Sequence, residues 1–185
     1  MDRSLDLIAF LRSLRAVRRF SAQPIDDDVL HTILDVARWT GSGKNTQPWH
    51  VIVVRDRETL RGLSACGAYA GHLAGAHLAL VLVMDDQSRR FDEGRLAHNL
   101  MLAAWAFGIG SCIGSLNPEP NKARARVLLG VPDDRWIHTA LSLGYPADPS
   151  ALRLSADRTG LSEVPLGRVE MADFVSWERF GQRSA

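Results

Sequence analysis

At 185 residues, with 46% hydrophobic and 23% charged side chains, the chain is long enough to bury a real core and has the balance of an ordinary globular domain. Its formal net charge of +1 gives no general attraction to nucleic acid, membrane surfaces or acidic partners. Cys66 and Cys112 are too few and too isolated for a disulfide framework, so two small buried thiols in a reducing compartment are expected.

The sequence opens Met-Asp-Arg without a signal-peptide apolar core, and its longest central apolar run, Leu78 to Met84, is too short to cross a bilayer. A cytoplasmic location is expected. Leu7, Ile8, Leu11 and Leu14 recur at helical spacing over Leu5 to Leu14. Phe20 to Ile25 reads as extended, because Pro24 disfavours helix at Gln23. Asp26, Asp27 and Asp28 supply a cap and an acidic first turn for a helix through Trp39. Its apolar face carries Val29, Leu30, Ile33, Leu34, Ala37 and Trp39, with Gly41 and Gly43 beyond it.

Trp49 to Val54 holds an uninterrupted β-branched run, the pattern of a strand buried on both faces. A helix over Glu58 to Tyr69 and a strand over His77 to Met84 follow. Phe91 to Phe107 is the longest helical stretch and is apolar nearly all round in its second half, which suits the centre of a fold or of a dimer. Gly108-Ile109-Gly110 ends it and opens a strand through Ile113. A helix over Pro118 to Leu129 stops at Gly130, and Trp136 to Leu143 reads as the last strand. Strands interleaved with helices imply an α/β or α+β sandwich. After that the pattern changes: Ser155 to Gly167 has little periodicity, and Phe174, Trp177 and Phe180 form an aromatic tail suited to packing on another surface, such as a second subunit.

Two motifs carry chemistry. Leu14-Arg15-Ala16-Val17-Arg18-Arg19-Phe20 concentrates guanidinium groups where a helix gives way to an extended segment, an arrangement suited to a phosphate. Basic residues at a helix C-terminus also complement its dipole, which is the plainer account of Arg12 to Arg19. Ser42-Gly43-Lys44-Asn45-Thr46-Gln47-Pro48-Trp49 is the more specific: Asn45 and Gln47 both donate and accept hydrogen bonds, as the mixed edge of a flat heteroaromatic ring requires. His72 and His77 stand five apart without a glutamate at metalloprotease spacing, so no zinc site is expected. Ser111-Cys112 is not a nucleophile elbow. Asp85-Asp86 reads as a solvated turn rather than a cation site.

The phosphate-suited arginines followed by the Ser-x-x-Asn-x-Gln-Pro-Trp loop resemble the FMN-dependent nitroreductase family, over about Leu11 to Arg168. Phe91-Asp92-Glu93-Gly94-Arg95 with Asn99 to Ala104 is similar to the long central helix of that family. Gly108 to Ser115 is similar to its glycine-rich passage beneath the isoalloxazine, and Leu143-Gly144-Tyr145-Pro146 to its strand end. The chain departs from the family pattern at Leu14 and Ala16, where an arginine and a serine are frequent, at Gly41 for proline, and at Val169 for lysine.

The resemblance implies a single α+β domain with the nitroreductase-like fold, a central mainly antiparallel sheet flanked by helices. The core would span about residues 11–168, with an extended C-terminal tail, 169–185, on a partner subunit. It implies FMN as cofactor, held by Arg15, Ala16, Val17 and Arg18, by Ser42, Asn45 and Gln47 of the other subunit's loop, by Ile113, Gly114 and Ser115, and by Arg168. On that pattern Arg15, Arg18 and Arg168 meet the phosphate, while backbone N–H groups near Gly114 and Ser115 face the hydride-accepting nitrogen. The implied activity moves hydride from NAD(P)H through the flavin to an electron-poor acceptor such as a nitroaromatic or quinone, in a homodimer with a shared site. No side-chain acid or base is needed, so no catalytic residue is expected, and no metal. A deazaflavin-binding or flavin-consuming relative, a flavin-binding sensor without turnover, and a basic-helix module for nucleic acid are the rival readings. A net charge near neutral and no aromatics interleaved among the arginines argue against the last.

Overall fold

Leu78–Met84 has no charged or hydrogen-bonding side chain, and in the computed structural model every one of its seven residues is buried at the centre of a sheet. The structure describes residues 3–152 and 168–182, in two units, 1–153 and 154–185. The first unit contains, in chain order, α1 (Arg3–Ser13), α2 (Asp27–Arg38), β1 (Trp49–Val54), α3 (Arg57–Ser64), β2 (Leu78–Met84), α4 (Arg90–Ala106), β3 (Gly110–Ser115), α5 (Glu119–Leu129) and β4 (Trp136–Gly144). The second unit contains a one-turn helix, α6 (Met171–Phe174).

The sheet order is β1-β2-β4-β3, with every pair antiparallel. Alternation along the strands sends Leu78, Leu80, Leu82, Leu141 and Leu143 to one face, where Leu30, Ile33 and Ala37 of α2 and Leu96, Leu100 and Ala104 of α4 cover them. Ala79, Val81, Val83, Ile137 and Ala140 serve the other face, against Leu60 and Leu63 of α3 and Ala125 of α5. Helices thus flank an antiparallel sheet on both faces, the α+β arrangement expected. Each fully buried aliphatic side chain contributes on the order of 1.5–3 kcal/mol, which is why the apolar centre of β2 organises the rest.

Trp49–Val54 departs from the expectation. It is an edge strand, and Val53 keeps 37% of its surface exposed rather than being buried on both faces. Local composition could not tell an edge from a centre, because pairing partners are chosen at long range. The helix expected over Glu58 to Tyr69 stops at Ser64, since the chain must turn to bring Gly67 beside Asn117 in a parallel bridge. Asp26 stands at the N-cap position of α2, but its side chain makes no capping hydrogen bond, and Trp39 at the other end is 79% exposed. In α1, Leu5, Leu7, Ile8 and Leu11 all point to solvent, while Leu14 packs on the core. Ser13 ties the end of α1 to α4: its Oγ accepts from Trp105 Nε1 at 2.7 Å and donates to the Phe10 carbonyl at 2.6 Å. Phe174, Trp177 and Phe180 of the tail are exposed, and Ser155 to Gly167 lies outside the described residues. Among the described residues no helix is long and apolar enough to cross a membrane.

Candidate active site

The site is built on the outer edge of β3. Residues Ala16 to Arg18 run parallel to that edge: Ala16 bridges Ser111, and the Val17 N–H donates to the Ser111 carbonyl at 2.9 Å. Gly110 makes this approach possible, because a Cβ there would stand 2.6 Å from the Val17 Cβ. Since the Ser111 peptide faces outward and strand peptides alternate, Ile113 and Ser115 present their N–H and C=O groups to the same edge. Leu116 has the opposite parity, and its N–H is spent on the His138 carbonyl at 2.7 Å. The open stretch of edge ends at Gly67, which lies so close to the Ser115 carbonyl that a Cβ would fall 2.0 Å from it.

The pairing register carries Arg18 to the level of Ile113. Both line a cavity of about 500 Å³ with Tyr69, Gly71 and His72. Ile113 is 48% and Tyr69 86% exposed, so the mouth of this cavity is an aliphatic and an aromatic side chain. Its floor is polar. His72 Nδ1 lies 2.8 Å from Ser142 Oγ, which in turn donates to the Cys112 carbonyl at 3.4 Å. The other ring nitrogen, Nε2, is buried without a hydrogen-bond partner, as is Ser111 Oγ. Burial is the largest cause and holds the His72 pKa below its ordinary 6.5; the Ile113 carbonyl opposes it, the Arg18 guanidinium adds to it less strongly, and the Tyr69 carbonyl opposes it least. Burial likewise pushes the Cys112 thiol up, with Arg18 opposing it, and burial pushes up Cys66, so both free thiols are inert.

The structure sets Ala16 and Val17 against Ser111 and Arg18 beside Ile113, on the strand that also carries Gly114 and Ser115. Arg15 does not join Arg18: it is exposed, and its Nη1 donates back to the carbonyls of Arg12 and Leu14, each at 2.8 Å. Arg18 instead faces the strand segment that the resemblance assigns to the isoalloxazine. The Ser42–Trp49 loop lies elsewhere in the protomer. Gln47 lines a separate cavity of about 340 Å³ with Leu34, Ala37, Arg38, Trp49, His50, Val51 and Leu96. That loop is sharply folded. Lys44, Asn45 and Gln47 have φ of 53°, 54° and 48°, a left-handed backbone that costs non-glycine residues energy, and Ser42 Oγ accepts from the Gln47 N–H at 2.9 Å. Arg168 belongs to the second unit and is exposed.

Periodicity does not point to Tyr69, Gly71 and His72 as cavity residues: it reads Glu58 to Tyr69 as one helix, and the spacing of His72 from His77 bears only on a metal site. The signal that could have found them is Gly67-Ala68-Tyr69-Ala70-Gly71, whose glycines interrupt any helix between α3 and β2. No group of three or more potential metal ligands occurs among the described residues. Asp85 and Asp86 are engaged by Arg135 and Arg89 rather than set out for a cation.

The donor set suits a flavin. An arginine, outward strand peptides and a buried imidazole surround an open, partly apolar slot, which matches a planar ring with a polar edge. Comparison with known proteins agrees. The family model "Nitroreductase family" matches residues 11–78 and 64–145. An Archaeoglobus fulgidus protein named as an NADH dehydrogenase/NAD(P)H nitroreductase is 32% identical over 161 residues, 83% of this chain and 92% of its own. A Thermus thermophilus NADH dehydrogenase is 29% identical over 72% of this chain and 83% of its own. The solved structure of an FMN-dependent nitroreductase from Clostridium difficile superposes with a TM-score of 0.74 at 25% identity, covering 85% of this chain and 99% of that one. A match that runs from the end of α1 through β4, together with this closeness to a relative of nearly equal length, makes the chain a member of the nitroreductase family.

Proposed function

We propose that the protein is an FMN-dependent oxidoreductase that takes hydride from NADH or NADPH and reduces an electron-poor acceptor, a nitroaromatic or a quinone, in the cytoplasm. The observation that carries this reading is the open edge of β3 at Ile113 to Ser115, flanked by Arg18 and His72 and closed by Gly67. Its support from relatives is their names as NADH dehydrogenases, NAD(P)H nitroreductases and an NADPH-flavin oxidoreductase.

In this reading Arg18 meets the polar edge of the ring, while Arg15, the Ala16–Val17 backbone and Arg168 serve the ribityl phosphate. Ile113, Gly114 and Ser115 lie beneath the ring, with the outward peptide groups of Ile113 and Ser115 as fixed donors that need no reorganisation. FMN, when bound, supplies the two-electron chemistry; the protein binds it, orients it and leaves one face open to donor and acceptor in turn. No residue of the chain has to move a proton for this.

A second copy completes the site. The Ser42 to Trp49 loop lies apart from the Arg18 cavity in its own protomer, which supports its Ser42, Asn45 and Gln47 reaching the flavin of a partner. Leu5, Leu7, Ile8 and Leu11 give α1 an uncovered apolar face, and Phe91 and Phe107 are exposed at the two ends of α4. Burying such surface is worth on the order of 25 cal/mol per Å². The chain acts as one domain, with the tail from 169 onward on the partner.

Spectroscopy of the purified protein tests the reading. The expected result is a yellow dimer with FMN released on denaturation, whose absorbance bleaches anaerobically with NADH or NADPH and returns with a quinone or nitroaromatic. A flavin that neither nucleotide bleaches would point to the sensor, a released deazaflavin to that relative, and failure to bind any flavin would refute the proposal.

A further inference from the structure

A second group of ionisable side chains, outside the Arg18 cavity, has no task in the scheme above. β4 carries a β-bulge: between the pairs Val81 with Ala140 and Val83 with Ile137, two residues, His138 and Thr139, stand opposite Leu82 alone. The bulge adjoins the strand of the candidate site. Thr139 pairs with Ser115, the last pair of that ladder, and the His138 carbonyl accepts from the Leu116 N–H at 2.7 Å. The His138 ring stacks on the Trp136 indole, with centroids 6.0 Å apart and planes at 23°. From α5, Lys122 places Nζ 4.1 Å from the indole centroid and pairs with Glu119 at 3.2 Å; from α4, the Arg90 guanidinium lies 5.2 Å from the same centroid. Glu93, also on α4 and 4% exposed, is the carboxylate that acts on the imidazole, and neither its Oε1 nor His138 Nδ1 has a hydrogen-bond partner. The ring is neutral at pH 7: burial is the largest cause, Glu93 opposes it, and Lys122 and then Arg90 add to it less strongly. A proton on His138 would set a third cation beside one indole and turn Nδ1 into a donor for the unmatched Glu93 oxygen. Reaching Glu93 takes the ring off Trp136, and the peptide that moves with it is the one that holds Leu116.

We propose that His138 is a positioning residue of the flavin edge: the neutral ring, stacked on Trp136, holds the end of β3 in place at Ser115, and the protonated ring, drawn to Glu93, releases it, so that flavin binding is linked to a proton taken up outside the cavity. The proposal rests on the flavin reading and adds a regulation to that site. Ser115 stands between two supports, Gly67 against its carbonyl and the bulge across the ladder, so a shift of the bulge has no slack to absorb it. Linkage is reciprocal: if the proton weakens flavin binding, bound flavin must lower the His138 pKa by the same factor.

Riboflavin is the probe for the first arm, because the FMN phosphate itself titrates at about 6. Its affinity is read by flavin fluorescence from pH 7.5 to 5.5 in wild type, His138→Gln and Glu93→Gln, with circular dichroism at each pH to keep to folded protein. Wild type should lose about fivefold or more in affinity, the low end of ordinary coupling between sites. His138→Gln keeps the bulk of the side chain but cannot take the proton, and should abolish most of that fall; what remains belongs to His72, within the cavity. Glu93→Gln removes the group that favours the protonated ring and should move the fall to lower pH. In the second arm, NMR titration of the His138 ring should give a lower pKa in FMN-loaded protein than in apoprotein. That arm decides alone if His138→Gln fails to fold. An unchanged His138 pKa on loading, a fall that His138→Gln keeps whole, or no fall in wild type would overturn the proposal while leaving the flavin reading intact. A wild type that binds neither flavin would overturn both.

Discussion

Gly67 offers the sharpest test of how the site is built. A Cβ at this position would lie 2.0 Å from the Ser115 carbonyl oxygen and 3.1 Å from its carbon, where real Cβ contacts essentially never fall below 3.0 Å. The obstructing atom is backbone, so no rotamer change can relieve it. Either the end of β3 moves by about 1 Å or Gly67 does, and the second option breaks its bridge to Asn117, whose N–H donates to the Cys66 carbonyl at 3.1 Å. Overpacking of this kind costs about 1–3 kcal/mol, and a backbone obstacle puts Gly67→Ala at the upper end, about 3 kcal/mol. For a chain of this length each kcal/mol lowers Tm by roughly 2–4 °C, so a fall of about 6–12 °C is expected. Gly75→Ala is the matched control: it adds the same methyl where nothing lies within 4 Å and φ is not left-handed, and should change stability by no more than about 0.5 kcal/mol. Urea unfolding of both apoproteins, with FMN titration of each, is the assay. FMN affinity should fall with Gly67→Ala, because Ser115 leaves its place, and hold with Gly75→Ala. Equal stabilities for the two variants would refute the close approach on which the edge of the site depends.

Arg18→Ala should weaken FMN and riboflavin alike, by about tenfold to a hundredfold each, because Arg18 faces the ring segment Ile113 rather than joining Arg15. Arg168→Ala should weaken FMN alone, and the opposite pattern in parallel titrations would return Arg18 to the phosphate. Lowering the pH from 7 towards 5 should destabilise the fold. Burial is the first cause holding His72, His77 and His138 below 6.5 in the native chain, so the unfolded chain binds more protons in that window, and stability falls as pH drops through it; a flat urea midpoint across the interval would contradict the burial of these rings. Leu7→Glu with Ile8→Glu places two charges on the exposed face of α1 and should convert the proposed dimer to monomer in sedimentation, with loss of bound flavin. A dimer that survives both charges would move the interface elsewhere.

The sequence by itself determined the helices and strands whose signals are local. The acidic first turn and the apolar stripe of α2, the glycine stop at Gly130 with φ of 65°, and the unbroken apolar run of β2 are short-range physics, and all appear where the local signals put them. The resemblance of Gly108 to Ser115 also marked the strand whose edge Ala16 to Arg18 join. What the tertiary structure alone decided is which segments meet. Ala16 lies beside Ser111 only because Gly110 admits Val17 across some ninety residues of chain, and that register sends Arg18 to Ile113 and away from Arg15. The glycines after α3 only allow the chain to turn; that Gly67 turns beneath the Ser115 carbonyl is a close approach between distant segments. Trp49–Val54 has the composition of a central strand and becomes an edge because, among the described residues, only β2 pairs with it. Pairing and close approach depend on atoms far apart in the chain, and no local window contains both partners.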